Sequence, residues 1–172
     1  MGNENVTWEK EKIMSKLKNN KGFSLIELLI VVAIIGIIAA IAIPNLLASR
    51  RAANEGSAQQ SLRTMSSAEA TYRSTAGNGS YGPVASMVTQ SLIDSTLGGG
   101  QKSGYNFTTN TDPVASTTDF VIGATPVNTS GVTATGTRDF CIDQSGVLKA
   151  NPAASGTVPT DCSPAGFVAI GN

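Results

Sequence analysis

The feature that most constrains this chain is an apolar run over residues 23–43, in which only Ser24 and Glu27 are polar. About twenty helical residues, at roughly 1.5 Å each, span the hydrocarbon core of a bilayer, which is about 30 Å thick. The run therefore predicts a transmembrane helix. Because a lone carboxylate inside a membrane costs at least about 2.5 kcal/mol, we expect Glu27 to have a specific partner.

The segment before this run, residues 1–22, is polar and carries five lysines and three glutamates. A secretory signal peptide has its apolar core ahead of the cleavage site and loses it, whereas an apolar run that follows the polar segment would be kept. The positive-inside tendency predicts that residues 1–22 stay in the cytoplasm and that the C-terminal part lies across the membrane.

The junction between the two segments reads Lys21-Gly22-Phe23-Ser24-Leu25-Ile26-Glu27. It resembles the processing site of the type IV pilin superfamily. The resemblance implies that a membrane peptidase cuts between Gly22 and Phe23, that Phe23 becomes the N-methylated first residue, and that residues 1–22 are a leader that is removed. Residues 14–22 alone are similar to a short pilin leader, so we expect translation to begin at Met14, with Met1 as the alternative.

The same resemblance gives Glu27 a partner, the terminal amine of Phe23 in a neighbouring subunit. Two opposite charges in the low-dielectric core of a filament are costly alone and tolerable together. Any other axial stagger would leave a buried charge unpaired, so we expect Glu27 to set the register of assembly more than its stability. The alternative is a plain signal anchor with an incidental acid near one membrane interface.

Two residues weaken the apolar helix, Gly36 and Pro44. Glycine in a helix interior costs about 1 kcal/mol relative to alanine, and proline removes a backbone hydrogen bond. By resemblance to bacterial pilins, residues 37–43 would lose helical structure when the subunit enters a filament. A kinked but intact transmembrane helix is the alternative.

The chain after Pro44 continues as an amphipathic helix to about Thr75, so the whole helix is predicted over residues 23–75, with residues 23–43 in the membrane. Its second half is expected to dock on the following domain through apolar residues three and four apart. Arg50 and Arg51 are expected to be solvated, with contact to acids on adjacent subunits as the alternative. The docking residues are Leu46, Leu47, Ala58, Leu62, Met65, Ala68 and Tyr72.

Residues 76–172 are predicted to form a globular head. A Gly-rich stretch at 77–83 ends the long helix, a short helix is expected over 86–97, and three glycines at 98–100 end that helix. By resemblance, residues 76–104 are the connecting loop between helix and sheet.

Strand-like runs follow this loop, with a hairpin around residues 144–146. Residues 167–170 would form an edge strand or a tail. The predicted strands are 105–109, 119–124, 138–143 and 147–150.

The predicted fold is therefore α+β: a long N-terminal helix packed on a small antiparallel sheet of about four strands, which is the pilin fold. The sheet would bury Phe107, Phe120, Val121, Phe140 and Leu148.

Two cysteines, Cys141 and Cys162, complete the head. An even count in an outward-facing domain predicts a disulfide, which would close residues 141–162 and hold a Pro- and Ser-rich segment on the sheet. This region is similar to the C-terminal disulfide-bonded loop of many pilins.

Catalysis and cofactor binding are not indicated. The chain has no histidine and a net charge of zero, so the commonest general base is missing and no basic arm for nucleic acid is present. The glycines at 98–100 are not followed by the Lys and Ser/Thr of a phosphate-binding loop. Four acids could suggest calcium, but they lack the spacing of an EF-hand loop; they are Asp112, Asp119, Asp139 and Asp143.

The resemblance implies a structural subunit of a type IV pilus, a helical homo-oligomer with a role in adhesion, surface motility or DNA uptake. Its partners would be the prepilin peptidase and N-methyltransferase and the assembly machinery of the inner membrane. It would lie in that membrane first and in the extracellular filament afterwards. The alternatives are a type II secretion pseudopilin, a minor pilin at the filament tip, and a membrane-anchored ligand-binding module that keeps its leader and stays monomeric.

Overall fold

The computed structural model describes residues 22–110, 116, 118–159, 161–163 and 166–170. It divides into two compact units between Pro44 and Asn45. Most of the predicted leader, with both candidate start residues, lies outside the described residues, as does Asp112.

A single long helix, α1 (Leu25–Ser74), contains the whole apolar run except its first two residues. Every large apolar side chain between Leu25 and Ile43 is more than half exposed. By length and composition, α1 is the one helix in the described part of the chain that could cross a membrane. Such a continuous apolar surface is unfavourable in water, so lipid or other chains must cover it.

The helix continues through Gly36 and Pro44 without interruption. Proline has no N–H to donate, so the helix lacks one backbone hydrogen bond at that point. Loss of helical structure over residues 37–43 concerns an assembled filament and stays a prediction.

The second half of α1 packs on the head through four of the expected residues, Ala58, Leu62, Met65 and Ala68, which are buried. The prediction for Leu46 is wrong, because its side chain is 63% exposed. Leu47 and Tyr72 are half-buried. The spacing of three and four thus identifies the docking face, with Leu46 lying outside it.

Between helix and sheet the chain forms two short helices, α2 (Val84–Thr89) and α3 (Ser95–Gly98), where one helix was predicted. The interruption has a local cause: Ser91 has a φ of 55°, in the left-handed region that no helix interior tolerates. The helix then restarts at Asp94, whose carboxylate accepts the N–H of Leu97 at 2.7 Å. Gly100, at a φ of 77°, ends α3 in the predicted glycine run.

The sheet has six antiparallel strands in sequence order, where about four were predicted. The two extra strands, β1 and β6, are edge strands of two residues each, which are too short to show an alternating pattern in the sequence. Of the two alternatives for residues 167–170, the edge strand is therefore correct. The strands are β1 (Gln101–Lys102), β2 (Tyr105–Thr109), β3 (Val121–Pro126), β4 (Asp139–Asp143), β5 (Lys149–Asn151) and β6 (Val168–Ala169).

The core lies between the sheet and the second half of α1. Phe107, Phe120, Phe140 and Leu148 are buried, as predicted. Val121, the first residue of β3, is only half-buried, contrary to the prediction. In the central ladder, Ala124 of β3 lies opposite both Phe107 and Phe140, so a small residue separates two large rings.

A disulfide joins Cys141 on β4 to Cys162, with the two Cα atoms 5.6 Å apart. The chain leading to Cys162 lies against β3 at Gly123, where a Cβ would come within 2.8 Å of the Pro159 ring. The disulfide and this close approach together hold the C-terminal segment on the sheet.

Candidate functional site

The first candidate site is the start of α1. Residues 22–24 are not helical, and Phe23 is 86% exposed. The first backbone bond of the helix runs from the N–H of Leu28 to the carbonyl of Ser24, at 3.2 Å. The peptide bond between Gly22 and Phe23 therefore lies in non-helical, accessible chain just ahead of the helix.

Glu27 is bound within its own chain at this helix start. The backbone N–H of Ser24 donates to Oε2 of Glu27 at 2.8 Å. A Ser followed three residues later by a Glu is the sequence signature of a capping box, in which the acid reaches back to the amide that precedes the first helical turn. A carboxylate in the first turn also lies close to the positive end of the helix dipole.

Gly22 has open space around it. A Cβ at this position would meet no atom within 4 Å in the described chain, and the same is true of Gly36. Packing within this structure therefore gives no reason for a glycine at residue 22. A strict requirement for glycine there would have to come from an enzyme that binds this segment.

The second candidate site is a buried acid that the sequence reasoning missed. Glu55, on α1, is only 6% exposed. Its Oε1 accepts the backbone N–H and the hydroxyl of Thr137, each at 2.8 Å, and its Oε2 accepts two guanidinium N–H groups of Arg138, at 2.9 and 2.7 Å. Burial alone would raise the pKa of Glu55, but the hydrogen bonds from Thr137 and Arg138 outweigh burial and lower the pKa.

Glu69 is a second buried acid on the same helix face and is fully inaccessible. Its Oε2 accepts the N–H of Gly82 at 3.0 Å. Fourteen residues separate Glu55 from Glu69, which is close to four helical turns and places both on one side of α1. A signal for both existed, because residues 55, 58, 62, 65 and 69 recur at spacings of three and four.

Arg51 contradicts the expectation that both arginines after the apolar run are solvated. It is half-buried, and its guanidinium donates to the carbonyl of Gly131 at 3.1 Å. Arg50 is exposed. Together with Asn54, which donates to the carbonyl of Thr135 at 2.9 Å, Arg51 holds the loop between β3 and β4 against α1.

The three described acids considered for calcium do not form one site. Asp119 binds the hydroxyls of Ser116 and Thr118, Asp143 faces Lys149 at 3.7 Å, and the buried Asp139 accepts two hydrogen bonds from Ser155. Within residues 22–110, 116, 118–159, 161–163 and 166–170, no group of three or more His, Cys, Asp or Glu side chains could hold a metal ion.

Comparison with known proteins finds one family model that matches a short segment of the chain and two relatives that are similar over part of their length. Residues 17–43 match the family described as the prokaryotic N-terminal methylation motif. The chain is similar to the type IV wide pilus major component PilA4 of Thermus thermophilus, with 67% identity over 39 residues, 23% of this chain and 30% of that protein. It is also similar to the type IV major pilin protein PilA of Myxococcus xanthus, with 47% identity over 53 residues, 31% of this chain and 24% of that protein. The matches thus span less than a third of the length of either relative.

Proposed function

We propose that the chain is a structural subunit of a type IV pilus, because residues 17–43 match the prokaryotic N-terminal methylation motif and the chain is similar over part of its length to two type IV pilins. The observation that carries the proposal is the arrangement at the start of α1. An accessible, non-helical Gly22–Phe23 bond is followed at once by a capped helix. Over residues 25–43 of that helix the large apolar side chains are exposed and the one acid is Glu27.

Processing is the first proposed step. A prepilin peptidase in the membrane binds residues around Gly22, cuts the bond to Phe23, and methylates the new terminal amine. The open space at Gly22 supports a demand for glycine that originates in the peptidase rather than in the folded chain.

Assembly is the second proposed step. Before it, the exposed apolar surface of residues 25–43 is covered by lipid in the inner membrane, and afterwards by the same segment of other copies in a filament outside the cell. The same contact repeated in one direction, without closing on itself, gives an open helical polymer. In this polymer the carboxylate of Glu27 pairs with the methylated amine of a neighbouring Phe23.

The head is proposed to be structural, without catalytic activity. The partly exposed Arg138 of the head binds the buried Glu55 of α1, and this pair serves the packing of α1 on the sheet. Adhesion, surface motility and DNA uptake are the roles that such a filament would support, and the abundance of the chain in sheared filaments would distinguish a major from a minor subunit.

Two substitutions test this function in the native cells. Gly22→Ala should leave the leader attached and abolish filaments, because an uncleaved chain has no free amine at Phe23. Glu27→Ala should be cleaved but yield at least tenfold fewer filaments, because one charge of the pair is missing. Leader loss is read by mass spectrometry of the isolated chain, and filaments are counted by electron microscopy.

Gly56→Ala is the matched control for Gly22→Ala. Gly56 is also exposed, and a Cβ there also meets no atom within 4 Å. The control should process and assemble like the native chain. Normal filament yield from both Gly22→Ala and Glu27→Ala, or a native chain that keeps residues 14–22, would rule out the proposed function.

A further inference from the structure

The hydrogen bond between Ser24 and Glu27 assigns a role to the acid before any neighbour is present. We propose that Glu27 has two partners in succession: first the amide of Ser24 in its own subunit, through Oε2, and then the amine of a neighbouring subunit, through Oε1. Ser24 is thereby a positioning residue for assembly, acting through its backbone N–H. This inference rests on the proposed function for its second step and on the structure alone for its first.

The charge of Glu27 is the first reason. A carboxylate that enters apolar surroundings without a partner is strongly disfavoured. The amide of Ser24 donates to it at 2.8 Å, and a hydrogen bond to an ionised acceptor is roughly twice as strong as one between neutral groups. This hydrogen bond therefore offsets part of the cost of the unpartnered acid in the unassembled subunit.

The amide of Ser24 is the second reason. The first N–H groups of a helix have no acceptor within the helix, and in an apolar environment each needs one from elsewhere. Glu27 supplies that acceptor at the residue just before α1. The hydrogen bond therefore gives a partner both to the carboxylate of Glu27 and to the backbone N–H at the start of the helix.

The position of the bond is the third reason. Ser24 directly follows Phe23, so the bond holds the carboxylate within one residue of the chain's own cut end. In the described part of the chain Oε1 accepts no hydrogen bond and the side chain is exposed. One oxygen of Glu27 is thus fixed by its own subunit, and the other is free for an amine that arrives from outside.

Amide exchange of the unassembled subunit tests the first step without any filament. In the mature native chain in detergent micelles, the Ser24 amide should exchange with deuterium about fivefold more slowly than in Glu27→Ala, as expected for one hydrogen bond. Glu27→Gln keeps a carbonyl acceptor and should retain most of this protection. Equal exchange in the native chain and in Glu27→Ala would overturn the proposal.

A second pair of variants tests the step into the filament. Ser24→Pro removes the N–H and is compatible with the residue that precedes a helix, whereas Ser24→Ala keeps the N–H and loses only the hydroxyl. We expect Ser24→Pro to give at least tenfold fewer filaments per cleaved subunit than Ser24→Ala, which should match the native chain. Equal yields per cleaved subunit would overturn the positioning role.

The two proposals fail in different ways. Normal filaments from both Gly22→Ala and Glu27→Ala would defeat the proposed function, whatever the exchange rate of the Ser24 amide. Loss of filaments in Glu27→Ala together with an unprotected Ser24 amide would leave the proposed function standing and defeat the internal partner.

Discussion

Arg138 donates two hydrogen bonds, from Nε and from a terminal guanidinium nitrogen, to the same carboxylate oxygen of Glu55. The acid belongs to α1, and the arginine directly precedes β4. The pair therefore connects the long helix to the centre of the sheet. The carboxylate also accepts two hydrogen bonds from Thr137. Its lone pairs are therefore occupied by protein donors, and few remain for hydrogen bonds to water.

Glu55→Gln is expected to destabilise the head. A neutral amide cannot accept all the donors that now converge on the carboxylate, and breaking a buried ion pair costs up to about 3–5 kcal/mol. Because Arg138 is partly exposed and can be rehydrated, we expect a smaller loss, about 2–3 kcal/mol in the free energy of unfolding. The measurement is urea unfolding of residues 23–172 in detergent, monitored by near-ultraviolet circular dichroism of the tyrosines.

Asp94→Asn is the control for this substitution. Asp94 also pairs with a cation, Lys102, at 2.9 Å, but its side chain is about half exposed. Exposed ion pairs contribute little to stability, so the unfolding midpoint should hardly move. A shift as large as that of Glu55→Gln would contradict the role given to burial.

The stability of the head should fall in acid because of the same carboxylate. Folding lowers the pKa of Glu55 from its ordinary value of 4.5. Its contribution is therefore complete above about pH 4.5, and it is lost as the pH falls through the lower pKa of the folded state. Melting temperatures measured between pH 6 and pH 3 should decline less steeply for Glu55→Gln than for the native chain; parallel declines would assign the acid sensitivity to other groups.

Gly136→Ala should be strongly unfavourable. A Cβ at residue 136 would overlap the hydroxyl of Tyr105, which is buried and donates to the carbonyl of Arg138 at 3.0 Å. Forcing an extra methyl group into a packed core costs about 1–3 kcal/mol. Gly56→Ala provides the contrast, because its Cβ meets open space on a helix and should stabilise by up to about 1 kcal/mol. Thermal unfolding of the two variants should shift in opposite directions.

Loss of the disulfide should destabilise the head without changing the sheet register. Cys141 and Cys162 are 21 residues apart in the sequence, and closing a loop of that size is worth about 3 kcal/mol on the chain-entropy model. The double substitution of both cysteines by serine should lower the unfolding midpoint, and added reductant should then have no further effect. If reductant lowered the unfolding midpoint equally in the native chain and in the double variant, its effect would not come from the Cys141–Cys162 disulfide.

The sequence predicts most reliably the elements whose hydrophobic pattern is long and regular. The apolar run, the docking residues from Ala58 to Ala68 and the three buried phenylalanines of the head follow from pattern alone. The motif at Gly22 to Glu27 can also be recognised from the sequence alone. The spacing of Ser24 and Glu27 is that of a capping box, and the structure has the corresponding hydrogen bond.

The features that were missed depend on partners far away in the sequence. Glu55 and Glu69 look like solvated acids until the residues that bind them, Arg138 and Gly82, are brought to them by the fold. Strands of two residues exist only because a neighbouring strand pairs with them. The spacing of Glu55 and Glu69 places them on the docking face of the helix, but the groups that bind them, like the pairing of the two-residue strands, are known only from the fold.

The two edge strands of the sheet affect how readily copies of the head would aggregate at high local concentration. An unpaired strand edge is a template on which another chain can add a strand, and the danger grows with the length of that edge. Here β1 and β6 each offer only two residues. Short edge strands would lower the risk of aggregation in a polymer that packs identical heads side by side. The heads would then have few unpaired backbone groups with which to form a cross-β aggregate in place of an ordered fibre.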